Sequence, residues 1–129
     1  MMRGRILEPQ VLKKVAEKMG LILEKCGLLL SEKYPVFGAS PDAITEEYVV
    51  EVKCPTSLHS KERYLSSSRK IGKKVMAQIQ LQMAIANRAK GLLCVADENF
   101  EKNGEVGLIP VDFDYSLASD LVKKAENFG

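Results

Sequence analysis

Apolar residues recur along the chain at two different spacings, which divide it into predicted helices and strands. A spacing of three and four residues, typical of a helix with one buried face, occurs in three segments. Shorter runs that are rich in β-branched residues and bounded by turn formers predict strands. The predicted helices cover residues 4–19, 74–89 and 116–127, and the predicted strands cover 21–31, 37–44, 48–54, 92–96 and 106–113.

The boundaries of these elements follow from residues that start or stop helices. Pro9 is tolerated only in a first turn, so the first helix is expected to begin near residues 5–7. Gly91 is expected to end the second helix, and Ser116 is expected to cap the third. Residues 56–73 are polar and serine-rich, which predicts a short helix followed by a mobile loop.

The order of the elements predicts an α/β fold, with a mixed central β-sheet flanked by helices. The second and third strands are separated by a short gap, which indicates an antiparallel hairpin. A chain of 129 residues is long enough for one hydrophobic core and too short for two. We therefore expect residues 1–129 to form a single domain.

Composition and charge exclude several classes of protein. No segment approaches the run of about 18 apolar residues that spans a membrane, and the N-terminal residues lack the pattern of a signal peptide. The chain is therefore expected inside the cell, in the cytoplasm or nucleus, with no membrane partner. Cys26, Cys54 and Cys94 are far apart and form no CxxC pair, which argues against a disulfide framework. The single histidine, His59, excludes sites built from several histidines.

Residues 38–55, GASPDAITEEYVVEVKCP, contain the strongest candidate chemistry. Side chains alternate across a strand, so Glu51 and Lys53 point to one face of a strand whose other residues are mostly valines. Charged groups on such a buried strand are costly unless they are paired or hold a metal. Asp42, in the polar turn before this strand, adds a second carboxylate. The alternative is a solvated stripe on a half-exposed strand, with Asp42 as a simple turn former.

A set of oxygen ligands from this region suits Mg²⁺, with Mn²⁺ as a possible substitute. Asp42, Glu51 and Glu8 supply carboxylates, and the backbone carbonyl of Val52 is a natural further ligand. Lys53 would orient an attacking water or stabilise charge on an attacked phosphate, which indicates metal-dependent phosphodiester cleavage. Glu8 has a simpler alternative role, which is to face the dipole of the first helix.

Three glutamines lie close together in the second long helix. Gln78 and Gln82 are four residues apart on one face, whereas Gln80 projects elsewhere. Glutamines at this density usually form a solvated face. One that points into the site would instead hold the attacking water or a phosphate oxygen.

A basic segment between residues 61 and 74 holds six cationic side chains against the single acid Glu62. Such a segment is suited to the phosphate backbone of a nucleic acid. The alternative is an ordinary solvated loop and helix start. The six residues are Lys61, Arg63, Arg69, Lys70, Lys73 and Lys74.

With these positions identified, the chain resembles the PD-(D/E)xK nucleases, and within them the lambda exonuclease or YqaJ viral recombinase family. Four sequence blocks follow the family's order and extend from residue 3 to about residue 90. The combination of SPD with E-x-K-C-P is far more specific than E-x-K alone. The blocks are RGRILEP with Glu8, FGASPDAIT with Asp42, VVEVKCP with Glu51 and Lys53, and VMAQIQLQM with Gln78 and Gln80.

The resemblance implies a restriction-endonuclease-like core and a Mg²⁺-dependent deoxyribonuclease. Such an enzyme degrades duplex DNA from an end, in recombination or in the processing of viral or mobile-element DNA. The resemblance also implies assembly as a homotrimer and cooperation with a single-strand annealing protein. The implied site consists of Asp42, Glu51 and the Val52 carbonyl as metal ligands, Lys53 as the catalytic lysine, and Glu8 and Gln78 as additional site residues.

The chain departs from the family pattern in two places. Family members usually carry upstream helices that grip the 5′ phosphate of DNA, whereas this chain begins almost at the first catalytic helix. Val75 occupies the position before the glutamines where the family often has tyrosine. Strand polarity and ring assembly therefore stay open. Two alternatives remain as well: a structure-selective endonuclease on the same site, and a nucleic-acid-binding module without catalysis.

Overall fold

The computed structural model describes residues 2–25 and 41–128. Cys26, most of the predicted strand 21–31 and half of the predicted strand 37–44 lie outside the described residues. The helices are α1 (Met2–Met19), α2 (Leu58–Tyr64), α3 (Lys73–Ala86), α4 (Phe100–Asn103) and α5 (Tyr115–Phe128). The strands are β1 (Glu24–Lys25), β2 (Ala43–Ile44), β3 (Tyr48–Lys53), β4 (Lys90–Ala96) and β5 (Val106–Asp112).

The described strands form one mixed sheet in the order β1-β2-β3-β4-β5. Strands β3 and β4 are parallel, and every other neighbouring pair is antiparallel. The connection from β3 to β4 contains α2 and α3, as a parallel pair requires a long crossover. The predicted α/β fold with a mixed, helix-flanked sheet is confirmed, and so is the antiparallel pairing of β2 with β3.

Each face of the sheet carries its own hydrophobic core, because successive side chains of β3 and β4 point to opposite faces. One core packs against α1 and the other against α3. Burial of each of these aliphatic side chains contributes about 1.5–3 kcal/mol relative to exposure. On the α1 side the sheet contributes Val50, Val52, Leu92 and Cys94, and on the α3 side it contributes Val49, Leu93, Val95 and Ile109.

The observed helix ends differ from three of the predictions. Helix α1 begins at Met2 and includes Pro9, whose side chain is exposed, so the hydrogen bond that proline cannot donate is lost on the solvent side. Helix α3 ends at Ala86 because Asn87 adopts a left-handed conformation, with φ of 55°. Gly91, the predicted stop, is buried inside β4 instead.

The start of α5 also differs from the prediction. The side chain of Asp114 accepts a hydrogen bond from the backbone N–H of Leu117 at 3.0 Å. Its carbonyl accepts one from Ala118 at 2.9 Å. Asp114 is therefore the N-cap, and Ser116 lies within the first turn of the helix.

The predicted loop after α2 is a hydrogen-bonded turn. Leu65 and Ile71 form an antiparallel bridge, and Ser66 N–H donates to the Lys70 carbonyl at 2.9 Å. The Ser66 hydroxyl in turn accepts from the Lys70 N–H at 3.0 Å. Arg69 has φ of 63°, the left-handed region that a tight turn uses. The turn presents Arg69 and Lys70 on a defined backbone.

Helix α3 approaches the sheet closely at Gly91 of β4. A Cβ atom at this position would lie 2.7 Å from Cγ2 of Ile79 and 3.3 Å from the sulfur of Met83. Distances this short are not compatible with an added methyl group unless the helix moves outward. The absence of a side chain at Gly91 thus determines how near α3 lies to β3 and β4.

Within the part of the chain that the structure describes, no helix combines the length and the apolar character needed to cross a lipid bilayer.

The close approach at Gly91 leads to a prediction about stability. Gly91→Ala should lower the free energy of unfolding by about 1–3 kcal/mol, the usual cost of overpacking a filled core. Urea denaturation followed by circular dichroism measures this change. Gly107→Ala is the matched control, since its Cβ would lie 3.7 Å from the Val95 carbonyl oxygen, an ordinary contact. Equal losses in the two variants would contradict the packing argument.

Candidate active site

Glu51 is the centre of a buried cluster of polar side chains on the α3 side of the sheet. It lies in β3 between Val50 and Val52, and only 5% of its surface is exposed. Its Oε2 accepts a hydrogen bond from Gln78 Nε2 at 3.0 Å, and its Oε1 accepts one from Gln82 Nε2 at 3.1 Å. Both donors come from α3, one helical turn apart. The helix therefore supplies a neutral amide to each oxygen of this carboxylate.

Lys53 completes the cluster from the same face of β3. Its Nζ lies 3.2 Å from Glu51 Oε2 and donates to Gln78 Oε1 at 3.2 Å. The ring of Tyr64, on α2, has its centroid 5.6 Å from the same Nζ, within the range of a cation–π contact. Gln78 thus donates to the carboxylate and accepts from the ammonium. The predicted orientation of Glu51 and Lys53 toward one side of the strand is observed.

Asp42 joins the cluster from the turn before β2. Its backbone N–H donates to the Val50 carbonyl at 3.0 Å, and its Oδ2 accepts from the Val52 N–H at 2.7 Å. Burial and the negative charge of Glu51 raise the pKa of Asp42 to about 6, although hydrogen bonds from Val52 and Glu8 and the charge of Lys53 act in the opposite direction. The hydrogen bond to Glu8 connects α1 to this end of the sheet.

The structure brings the predicted site residues together. Glu8 comes from α1, Asp42 from the turn before β2, Glu51 and Lys53 from β3, and Gln78 from α3. Val52 contributes its peptide N–H to Asp42, and its carbonyl stays a predicted ligand.

The charges of the site fit a divalent cation. Among the described residues, no three side chains of Asp, Glu, His or Cys are arranged to hold an ion by themselves. The donor set predicted from the sequence, Asp42 and Glu51 with the Val52 carbonyl, would leave positions for water, as Mg²⁺ prefers. The negative potential of these two acids also reaches Cys94, where burial together with both carboxylates raises the thiol pKa to about 12. A bound cation would offset this potential.

Gln80 and Gln82 are buried and Gln78 is half-buried, so the expectation of a solvated glutamine face is wrong. Gln82 is 0% exposed and Gln80 is 1% exposed. Gln80 faces away from the site, as predicted: its Nε2 donates to the Asp112 carbonyl at 3.0 Å, and its Oε1 accepts from the Asp114 N–H at 2.8 Å. Gln80 thus joins α3 to the segment between β5 and α5.

Gln82 is the residue that the sequence analysis did not assign to the site. Its position four residues after Gln78 placed both on one helix face, which was the available signal. That spacing did not reveal that this face packs on β3, because the direction in which a helix faces depends on tertiary packing.

The six predicted nucleic-acid contacts fall into two groups. Lys61 lies 3.2 Å from Asp97 Oδ1 and 3.4 Å from Glu98 Oε2, and these two acids outweigh the effect of burial and raise its pKa. Hydrogen bonds from Asn103 and Asn99, together with Lys61, lower the pKa of Asp97 to about 2. The charge of Lys61 is therefore already balanced. The other five are exposed: Arg63, Arg69, Lys70, Lys73 and Lys74.

The protein class follows from a match of the chain to a family model. The YqaJ-like viral recombinase domain matches residues 1–89, so the chain belongs to this family. The family is consistent with the PD-(D/E)xK superfamily that the sequence blocks indicated. No curated protein matches the chain.

Solved structures of exonucleases share the fold. The alkaline exonuclease LHK-Exo from Laribacter hongkongensis has a TM-score of 0.79 at 21% identity, over 99% of this chain and 66% of that one. Its complex with dAMP has a TM-score of 0.82 at 23% identity, over 99% and 65%. A phage related exonuclease from Haemophilus somnus 129PT has a TM-score of 0.71 at 14% identity, over 97% and 66%. The chain thus spans just under two thirds of the length of these proteins, and the likeness establishes the fold.

The raised pKa of Asp42 predicts how stability depends on pH in the metal-free protein. The pKa of its carboxyl rises from the ordinary value of 3.8 to about 6 in the folded chain, so the folded state binds its proton more tightly. Wild type should therefore lose stability relative to Asp42→Asn as the pH rises from about 4 to 6. Urea denaturation of both proteins in EDTA measures the difference. A constant difference across this range would show that Asp42 is not under the repulsion described.

Proposed function

We propose that the chain is a deoxyribonuclease that uses Mg²⁺, or Mn²⁺ in its place, to hydrolyse duplex DNA from an end. The observation that carries the proposal is the convergence of Asp42, Glu51 and Lys53 at one end of a sheet in a YqaJ-family chain. The names of its structural neighbours, an alkaline exonuclease and a phage related exonuclease, favour end-dependent cleavage.

The wider functional setting is part of the same proposal. Residues 1–129 act as one nuclease domain, and the substrate is duplex DNA. Family membership favours a role in recombination or in the processing of viral and mobile-element DNA. It also favours assembly as a homotrimer and cooperation with a single-strand annealing protein.

The acidic residues of the cluster would bind the cation. Asp42 and Glu51 would hold the cation, with the Val52 carbonyl as a further ligand and Glu8 beside Asp42. When bound, such a cation polarises a phosphoryl oxygen and lowers the pKa of a water molecule. Hydrolysis joins the oxygen of a water to phosphorus and breaks the P–O bond to the neighbouring nucleotide.

Lys53 acts at the phosphate in this proposal. Gln78 and Glu51 fix its ammonium group at 3.2 Å each, and Tyr64 covers one side of it. A cation fixed in this way offsets the charge that builds up on the phosphate oxygens in the transition state, without the cost of reorganising at the moment of reaction. Gln78 is a positioning residue for this lysine and for Glu51.

The basic surface beside the cluster is suited to the DNA backbone. Helix α2 and the turn at 65–71 lead from Lys53 to the start of α3, and five exposed cations lie along this path. Phosphate contacts of this kind position DNA without reading its sequence. The surface would therefore bring a DNA end to the cluster regardless of sequence.

Lys53→Ala tests the assigned chemistry. The variant should cleave a linear DNA duplex at least about 100-fold more slowly in Mg²⁺, the scale expected for loss of one charge-stabilising donor. Release of acid-soluble nucleotides measures the rate. The same assay on a covalently closed circle should give no cleavage, because the proposed enzyme requires an end.

Lys90→Ala is the matched control for this variant. Lys90 also lies beside a carboxylate, 3.6 Å from Glu47, and over a tyrosine ring, 5.8 Å from Tyr48. It is exposed and lies at the opposite end of the parallel pair β3–β4 from Lys53. Lys90→Ala should keep the wild-type rate. An unchanged rate in Lys53→Ala would refute the assigned site, and cleavage of the closed circle would favour an endonuclease.

The salt dependence of DNA binding tests the basic surface. Each phosphate contact that is removed should reduce the slope of log K against log salt by about 0.9. Lys70→Ala and Lys73→Ala should each show this reduction, as measured by fluorescence anisotropy of a labelled duplex in EDTA. Lys18→Ala, an exposed lysine at the far end of α1, is the control and should leave the slope unchanged. Identical slopes in all four proteins would exclude this surface as the binding site.

A further inference from the structure

Gln82 has a one-sided arrangement of hydrogen bonds, in which only one of its two amide atoms has a partner among the described residues. It is fully buried, and its Nε2 donates to Glu51 Oε1 at 3.1 Å. Its own Oε1 has no hydrogen-bond partner among the described residues. A buried carbonyl left in this state costs about 1–3 kcal/mol. An aliphatic side chain of similar size would avoid that cost, but it would leave Glu51 Oε1 without its donor.

The orientation of the amide is dictated by Glu51. If the amide of Gln82 were turned by 180°, its oxygen would face a carboxylate oxygen, and the two would repel each other. The observed orientation therefore keeps a charge-assisted hydrogen bond to Glu51 at the expense of the unpaired oxygen. A buried polar atom without a partner requires an explanation, and a role in the chemistry of a site is one of those known.

Gln82 contacts a different oxygen of the Glu51 carboxylate than Gln78 and Lys53 do. Gln78 and Lys53 both lie at Oε2, whereas Gln82 lies at Oε1. Because the two amides donate to different oxygens of Glu51, they fix the plane of the carboxylate as well as its position. With the donor at Oε1 removed, Glu51 would be free to rotate about the contact at Oε2.

The buried position of Gln82 excludes direct contact with DNA. Gln78 is half-buried and lies beside Lys53, whereas Gln82 is one turn further along α3 and has no exposed surface. Its effect on a reaction must therefore pass through Glu51. Residues that orient a metal-binding carboxylate in this way typically change metal affinity or activity by 10–100-fold when they are replaced.

We propose that Gln82 is a positioning residue that holds the plane of the Glu51 carboxylate for a divalent cation. This inference rests on the proposed function, since it requires Glu51 to be a metal ligand. Gln80 provides the contrast on the same helix. It is equally buried, but both of its amide atoms have partners, the Asp112 carbonyl and the Asp114 N–H, and none of them belongs to the site.

The test compares Gln82→Met with Gln80→Met, in the full chain. Titration calorimetry with Mn²⁺ measures metal affinity, and urea denaturation in EDTA measures stability. Gln82→Met should bind Mn²⁺ about 10–100-fold more weakly and need correspondingly more Mg²⁺ for half-maximal cleavage. It should also lose stability in EDTA, because Glu51 Oε1 loses its buried donor. Gln80→Met should also lose stability, because it gives up its bonds to the Asp112 carbonyl and the Asp114 N–H, but it should keep the wild-type Mn²⁺ affinity.

The outcomes separate this inference from the proposed function. If wild type binds Mn²⁺ and cleaves DNA but Gln82→Met binds Mn²⁺ equally well, the role of Gln82 is overturned and the nuclease assignment stands. If wild type neither binds Mn²⁺ nor cleaves DNA, both fall. Should Gln82→Met fail to fold, Gln82→Asn takes its place in the test. Its side chain is one methylene shorter, so its amide lies too far from Glu51 to keep the hydrogen bond at Oε1. Wild-type Mn²⁺ affinity in that variant overturns the inference.

Discussion

The placement of one carboxylate, that of Glu51, in the interior of the protein is the constraint on which the rest of the structure depends. A buried charge is tolerated only when hydrogen bonds and opposite charge compensate for the loss of water. Here Gln78 and Gln82 supply amides to both oxygens, and Lys53 supplies the positive charge. The second acid, Asp42, is repelled by the charge of Glu51, and its raised pKa shows that this repulsion is not fully compensated. The two carboxylates therefore leave an excess of negative charge at this end of the sheet, which favours a cation.

This arrangement requires α3 to lie close to the sheet. The distance is set by Gly91, which leaves room for Ile79 and Met83 where any side chain would collide. The same helix uses Gln80 to hold the segment before α5, so one short sequence both anchors the helix and serves the site. Gln80 thus holds the segment before α5, whereas Gln78 and Gln82 both donate to Glu51.

Much of the site is predictable from the sequence, for reasons of local geometry. The alternation of side chains in β3 places Glu51 and Lys53 on one face, and the α/β fold follows from the order of the elements. The burial of Gln80 and Gln82 is not predictable in this way, because polar residues on a helix are normally solvated. The end of α3 is a similar case, since Asn87 adopts the left-handed conformation for which glycine is the usual choice.

The sequence by itself determined the periodicity of the elements, the residues that share a face, and the family to which the chain belongs. Those properties depend on backbone geometry over a few residues and on short motifs. Only the tertiary structure decided which partner each polar side chain has. It directs Gln82 to Glu51 and Lys61 to Asp97 and Glu98, although each pair is distant in the chain. The physical reason is that hydrogen bonds and ion pairs act over about 3 Å. Their partners are therefore set by how the helices pack on the sheet.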